Sequence, residues 1–194
     1  MKRSKQSRKG STQPLKIVMI SQDSMSRSEF ARTLAKTKNE TENLGGISLN
    51  GYSIVGDGTT ANVGGVLTGW NELKSGTPGY PLYEGRTGFP GSRILDGWPW
   101  IMKQFKEAGF VTAGHLGDSS AILPFAMRLK GLKTSPFDHD ISPYFYHREN
   151  KKHCNVGLHR SQVVLKFVNQ FLKAYNDLPL FYYSHSATLS HAEW

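Results

Sequence analysis

Two residues stand where chemistry is easiest to build. Asp23 follows the apolar run Ile17-Val18-Met19-Ile20, at the break Ser21-Gln22-Asp23-Ser24. A carboxylate just past a buried strand can hold a divalent cation, because hard metals prefer oxygen ligands and the strand fixes its position. Asp is also a common helix cap, which is the plainer use of the same residue. Thr59 lies in Val55-Gly56-Asp57-Gly58-Thr59-Thr60-Ala61-Asn62, on a glycine-rich turn that opens a helix. A helix N-terminus presents free N–H groups and the positive end of a dipole, which favours a phosphate or sulfate group. It also lowers the cost of an alkoxide on Thr59, more so if a metal binds the same oxygen. Asn62, one turn on, could donate an amide hydrogen bond to a non-bridging oxygen. The plainer reading is that Thr59 or Thr60 caps the helix.

The remaining candidates are weaker. None of the seven histidines forms a compact zinc pattern such as His-Glu-x-x-His. His139 lies between two acids, His153 and His159 flank Cys154, and His185 and His191 follow the last apolar run. Taken singly, a histidine is more often a core or surface residue than a ligand. Cys154 beside His153 suggests a thiolate–imidazole pair only weakly, since sequence neighbours need not face each other.

Strands and helices must bring Asp23 and Thr59 together. Residues 15–21 read as a buried strand from their Val/Ile content and short length. Ser26 to Lys36 reads as a helix, with Ser26 and Glu29 as a capping box. Ile47 to Val55 is strand-like, broken at Asn50-Gly51, and fits a small hairpin. Thr60 to Gly69 is a short helix weakened by Gly64-Gly65. Residues 71–97 form a long glycine- and proline-rich loop. Trp98 to Ala108 is a helix with Pro99 in its first turn and Gly109 as its stop. Phe110 to Ala113 is a short strand, and Ser119 to Leu129 a helix that must accommodate Pro124. Residues 131–155 are irregular. His159 to Tyr175 is the clearest helix, with Val163, Val164, Phe167, Val168, Phe171, Leu172 and Tyr175 recurring at three- and four-residue steps and polar residues on the other face. Leu180 to Tyr183 is the last strand. This alternation predicts an α/β fold, a mostly parallel sheet with helices on both faces. In such a sheet, ligands bind at the carboxyl edge of the strands, where Asp23 and Thr59 would meet.

Composition narrows the function classes. The formal charge is +9 over 194 residues, and six positive charges precede the first acid: Lys2, Arg3, Lys5, Arg8, Lys9 and Lys16. That leaves +3 for residues 17–194, and five of the six lie in a tail over residues 1–14, so the basic character is mostly the tail's. A solvated leader explains it, and contact with nucleic acid or an anionic membrane is a lesser alternative. A single cysteine excludes an internal disulfide and a cysteine-rich zinc site. No apolar run approaches a membrane span, and the charged start is not followed by a signal-peptide core. Asn39-Glu40-Thr41 fits a glycosylation sequon, a pattern common by chance.

Four segments together carry a resemblance: IVMISQDSMS over 17–26, GYSIVGDGTTANVGGVLTG over 51–69, AGFVTAGHLGD over 108–118, and Leu189-Ser190-His191. They resemble the alkaline phosphatase/sulfatase superfamily, and more narrowly its large animal branch built on a domain of unknown function. The resemblance covers most of residues 15–194 and implies the N-terminal part of an alkaline-phosphatase-like α/β domain with two metal sites. It places a metal-ligating acid on Asp23 and the nucleophile, itself a metal ligand, on Thr59. It also places one acid of an acidic pair on Asp118 and a metal or substrate contact on His191, and leaves Asn62 beside the substrate. Ala61 stands where the family usually has proline.

The resemblance implies a hydrolase or transferase of small or polymeric phosphate or sulfate esters. A divalent metal (zinc, manganese or calcium) would be its cofactor, and its setting would be extracellular or secretory. An Asp-His pair for the other ligands is expected beyond Trp194, so this chain is expected to be inactive alone. The rival expectation is a non-catalytic interaction module whose basic tail contacts anionic partners; nucleic acid is not the favoured partner of the enzyme reading.

Overall fold

The structure, a computed structural model, describes residues 13–56, 58–69, 94–116, 131–146, 154–155, 157–187 and 190. In chain order the elements are β1 (Lys16–Gln22), α1 (Arg27–Thr33), α2 (Ala35–Asn43), α3 (Gly58–Thr68), α4 (Ile101–Glu107) and β2 (Val111–His115). Then come β3 (His139–Asp140), α5 (Ser142–Tyr146), β4 (Cys154–Asn155), β5 (Leu158–His159), α6 (Arg160–Ala174) and β6 (Leu180–Ser186). β1, β6, β2 and β3 form one sheet in that order, with every pairing parallel. The expected α/β fold with a parallel sheet is therefore present. β4 and β5 make a separate antiparallel pair.

The last strand lies inside the sheet. All seven residues of β6 are buried, which is why Leu180-Phe181-Tyr182-Tyr183 reads as a continuous apolar run rather than an alternation. Alternate residues serve two cores. Phe181 and Tyr183 pack with Val63 and Leu67 of α3, and with Trp100 and Met102 where α4 begins. Leu180 and Tyr182 pack with Phe145 of α5 and with Val164, Val168 and Phe171 of α6. Helices thus cover both faces. β1 is the end strand among the described residues: Ile17 and Met19 join the α3–α4 core. Val18 and Ile20, on the opposite face, are 38% and 57% exposed.

Close approach within the sheet requires a glycine at Gly114. Its φ is +150°, and a Cβ there would lie 1.9 Å from the carbonyl oxygen of Tyr183. Beside it, Asp138 ties α4 to β2. Its Oδ2 accepts hydrogen bonds from Thr112 N–H (3.0 Å) and Thr112 Oγ1 (2.9 Å). Its Oδ1 pairs with the Lys106 ammonium. Burial pushes this carboxyl up, but Lys106 and the Thr112 donors outweigh it and hold Asp138 below the usual carboxylate range. A depressed folded-state pKa gives stability that is present above the unfolded value, about 3.9, and lost as pH falls through the folded one. Asp138→Asn is accordingly expected to cost about 1–2 kcal/mol at neutral pH. It should also shrink the fall in urea midpoint that the native protein shows on acidification below about pH 4. An unchanged acid limb in the variant would contradict this assignment.

Several local expectations are corrected. The helix predicted over 26–36 ends at Thr33, capped by the Ser26 side chain accepting from Glu29 N–H at 3.1 Å. It breaks at Leu34 (φ −112°, ψ 38°) and is followed by α2. No residue of α2 is buried, so it carries no apolar period to be read. Local bonds hold it, among them Lys38 Nζ to Glu42 Oε1 at 2.6 Å. The strand or hairpin expected over 47–55 is instead exposed coil: Ile47 is 87% and Ile54 75% exposed. The turn at Asn50-Gly51 exists, with Tyr52 N–H donating to the Leu49 carbonyl at 3.2 Å. Strand propensity without an edge to pair leaves the flanks unpaired.

α3 starts at Gly58 rather than Thr60 and runs through Gly64-Gly65. α4 starts at Ile101, after a lead-in that buries Trp100 completely. The stretch expected to be irregular, 131–155, contains β3, α5 and β4. Most of the tail (1–12), most of the long loop (71–93) and the helix with Pro124 (119–129) lie outside the described residues.

Candidate functional site

β1 and β6 run side by side to their carboxyl ends, with Ser21 opposite His185 and Gln22 opposite Ser186. The pairing continues one residue further, where Asp23 N–H donates to the Ser186 carbonyl at 2.8 Å. Gln22 Nε2 then donates to the Ser186 carbonyl (3.1 Å) and to Ser190 Oγ (2.7 Å). Ser190 Oγ in turn donates to the Asp23 carbonyl. This lattice fixes the backbone of Asp23. Directly after it, Ser24 takes φ 51°, the one positive φ at a non-glycine among the described residues. Its N–H donates to Asp23 Oδ1 at 2.9 Å. A serine in the left-handed region is sparsely populated and persists where its surroundings demand it; here it turns the chain away and leaves the carboxylate at the sheet edge.

α3 brings Thr59 to that carboxylate. Gly58, at φ 82°, makes the turn a side chain would resist and opens the helix. Thr59 Oγ1 lies 3.4 Å from Asp23 Oδ1 and 3.3 Å from Oδ2, across a separation of 36 residues in sequence. Both distances are long for a hydroxyl–carboxylate hydrogen bond, which prefers about 2.5–3.0 Å. The two groups face each other without closing.

Asn62 holds the turn from inside. Its Nδ2 donates to the carbonyls of Gly56 (2.9 Å) and Gly58 (2.8 Å), and its Oδ1 accepts from Val55 N–H (3.0 Å). A contact with an ester oxygen would require some of these bonds to be released. In this arrangement Asn62 positions Thr59. Asn62→Ala removes all three bonds and is expected to destabilise the fold by about 1–3 kcal/mol. Amide hydrogen exchange should quicken first at the start of α3; unchanged exchange there would refute the positioning role.

His185 is the residue that reasoning from sequence left among ordinary histidines. It sits within β6, not after it, and is 3% exposed. It projects to the same side as Phe181 and Tyr183, the side α3 covers. Its Nδ1 shares a 2.9 Å hydrogen bond with Ser21 Oγ. Among the described residues its Nε2 has no hydrogen-bond partner, and it lies 3.8 Å from Asp23 Oδ2. Ser21 also bonds the Tyr183 phenol, whose pKa burial pushes above its ordinary value, with the Asp23 charge adding to that rise. Tyr183 thus stays a neutral phenol beneath the site.

The other described histidines serve elsewhere. His139 bonds Tyr175 Oη at 2.7 Å, and His159 caps α6 by accepting from Ser161 N–H at 3.2 Å. His115 stacks on Phe145. His191 and Asp118 lie outside the described residues. Among the described residues, no group of three or more His, Cys, Asp or Glu side chains gathers to hold a metal. Among the described residues, a cation at this edge could draw on oxygens of Asp23 and Thr59 and a nitrogen of His185. Also among the described residues, no helix is long and apolar enough to cross a membrane.

A family model described as "Protein of unknown function (DUF229)" matches residues 1–194, so the chain belongs to that family. No curated protein and no solved structure matches it.

Proposed function

We propose that this member of the family carries the attacking hydroxyl and the metal-binding acid of a phosphate or sulfate ester hydrolase or transferase, of the alkaline phosphatase/sulfatase type. The observation that supports it most is the meeting of Thr59 Oγ1 with both oxygens of Asp23, at 3.3 and 3.4 Å, at the carboxyl edge of a parallel sheet. The residues fit a divalent cation: separations of about 3.0–3.4 Å are those of neighbouring ligands on one ion with bonds near 2.1 Å. When bound, the cation supplies Lewis-acid stabilisation of an alkoxide at neutral pH.

The chain's own residues do the rest. Thr59 Oγ forms a bond to phosphorus or sulfur as the bond to the ester oxygen breaks; the hydroxyl proton ends on the departing alcohol, and water or an acceptor alcohol then takes the group from Thr59. The hydroxyl proton faces the Asp23 carboxylate. The positive end of the α3 dipole meets the negative charge of the ester oxygens. Asn62 keeps that helix start in place through Gly56 and Gly58.

The test combines thermal denaturation in zinc, manganese or calcium with mass spectrometry of the chain after incubation with aryl phosphate and aryl sulfate. Cation-dependent stabilisation and a phosphoryl or sulfuryl group on Thr59 are the expected results. A chain that shows neither, yet binds a polyanion with affinity falling steeply with salt, is instead an interaction module acting through Lys2, Arg3, Lys5, Arg8 and Lys9.

A further inference from the structure

We propose that His185 is a nitrogen ligand of the cation at Asp23 and Thr59, held in orientation by Ser21, and that its presence selects a transition ion such as Zn2+ over Ca2+ or Mg2+. The inference rests on the reading that this site takes a divalent cation, and adds a ligand and an ion class to it.

Three observations carry it. First, the ring is buried at 3% exposure, and among the described residues Nε2 has no hydrogen-bond partner. A buried nitrogen without a partner is costly and calls for an explanation, an ion among them. Second, Nε2 and Asp23 Oδ2 stand 3.8 Å apart. A charge-assisted hydrogen bond between them would close to about 2.7–2.9 Å. Two ligands bonded to one ion at about 2.0–2.2 Å stand at most about 4.2 Å apart, and about 3.4 Å at a tetrahedral angle. The His185–Asp23 and Thr59–Asp23 separations both fall within that limit. Third, the far ring nitrogen is already engaged, by Ser21 Oγ at 2.9 Å. Metal-bound histidines are oriented in this way, by a partner on the nitrogen that does not touch the metal. In the tautomer whose Nδ1–H donates to Ser21, Nε2 carries the lone pair, 3.8 Å from Asp23 Oδ2. An imidazole nitrogen beside two oxygen donors suits zinc and disfavours calcium and magnesium, which take oxygen almost exclusively.

The test uses the full chain and reads metal binding rather than activity. Titration calorimetry is run with Zn2+ and Ca2+ on the native protein and on Asp23→Asn, His185→Gln and Ser21→Ala. Native protein should prefer Zn2+, and Asp23→Asn should lose binding. His185→Gln should weaken Zn2+ by about a hundredfold and leave Ca2+ nearly unchanged, and Ser21→Ala should weaken Zn2+ by about tenfold.

Should the buried substitution fail to fold, 113Cd-loaded native protein with 15N-labelled histidine replaces it. A coupling between cadmium and one imidazole nitrogen that survives His191→Ala supports the proposal. A missing coupling, or one lost in His191→Ala, overturns it. Zn2+ binding that needs Asp23 but is indifferent to His185→Gln overturns the role of His185 and leaves the proposed function standing. Absence of any Asp23-dependent cation binding overturns both.

Discussion

In any preparation of this site that turns over an ester, Thr59→Ala is expected to cut turnover by about a thousandfold or more, the scale of losing a nucleophile, while barely moving the melting temperature. The small stability effect follows from geometry. The Thr59 hydroxyl is only partly buried, and its contacts with Asp23 at 3.3–3.4 Å are too long to contribute much. Thr59→Ser keeps an attacking oxygen at the same helix position and should retain measurable turnover. Asp23→Asn keeps the shape and removes the charge. At a cation concentration a hundred times the dissociation constant, binding stabilises the native state by about 2.7 kcal/mol. For a chain of this size that is a rise of roughly 5–10 °C, which Asp23→Asn should abolish. Turnover equal to the native protein's in Thr59→Ala would remove the nucleophile assignment whatever the cation data show.

Gly114→Ala is the substitution expected to damage the fold most, by about 4 kcal/mol or more. The cost has two parts acting on one atom. At φ +150° an L side chain is strained. The added methyl would also lie 1.9 Å from the Tyr183 carbonyl oxygen and 2.9 Å from its carbonyl carbon. Those atoms are backbone of the central strand, so they cannot rotate away as a side chain end could. Relief requires β2 to move off β6, which breaks the pairing of Gly114 with Tyr183 and disturbs that with Asp140 of β3. Tyr183 lies two residues before His185, so any folded Gly114→Ala protein should also show perturbed imidazole resonances at His185. A denaturation midpoint within half a kcal/mol of the native protein's would mean that the strands approach less closely than described.

The elements were legible where burial imposes a period. Phe110 to Ala113, the Val164–Val168–Phe171 face and Leu180 to Tyr183 became core elements because the sheet and its helices needed those side chains inside; the strand expected to be buried at 15–21 is not, since only Ile17 and Met19 pack against the core and Val18 and Ile20 are exposed. The α/β class followed from their alternation. α2 was hidden because nothing in it is buried. The 47–55 stretch misled because strand propensity describes a side chain's fit to a pleated surface, and no strand pairs with it among the described residues.

The same division holds at the site. Asp23 and Thr59 could be singled out from sequence because each stands at a local landmark, a strand end and a glycine-led helix start. Their contact could not, since 36 residues separate them. The role of Asn62 was open for a similar reason: an amide one turn into a helix can face a ligand or its own loop, and only the positions of Gly56 and Gly58 bring it to the loop.

His185 shows most clearly what sequence alone leaves undecided. In the chain it is one histidine in Ser184-His185-Ser186 at the end of an apolar run. What makes it a candidate ligand is that the last strand inserts beside the first, in a register that sets His185 against Ser21 and within reach of Asp23. Strand character and apolar pattern are local properties, settled by which side chains shun water. Strand order and register are not: they depend on how helices of particular lengths pack on both faces at once, and only the folded chain contains that information.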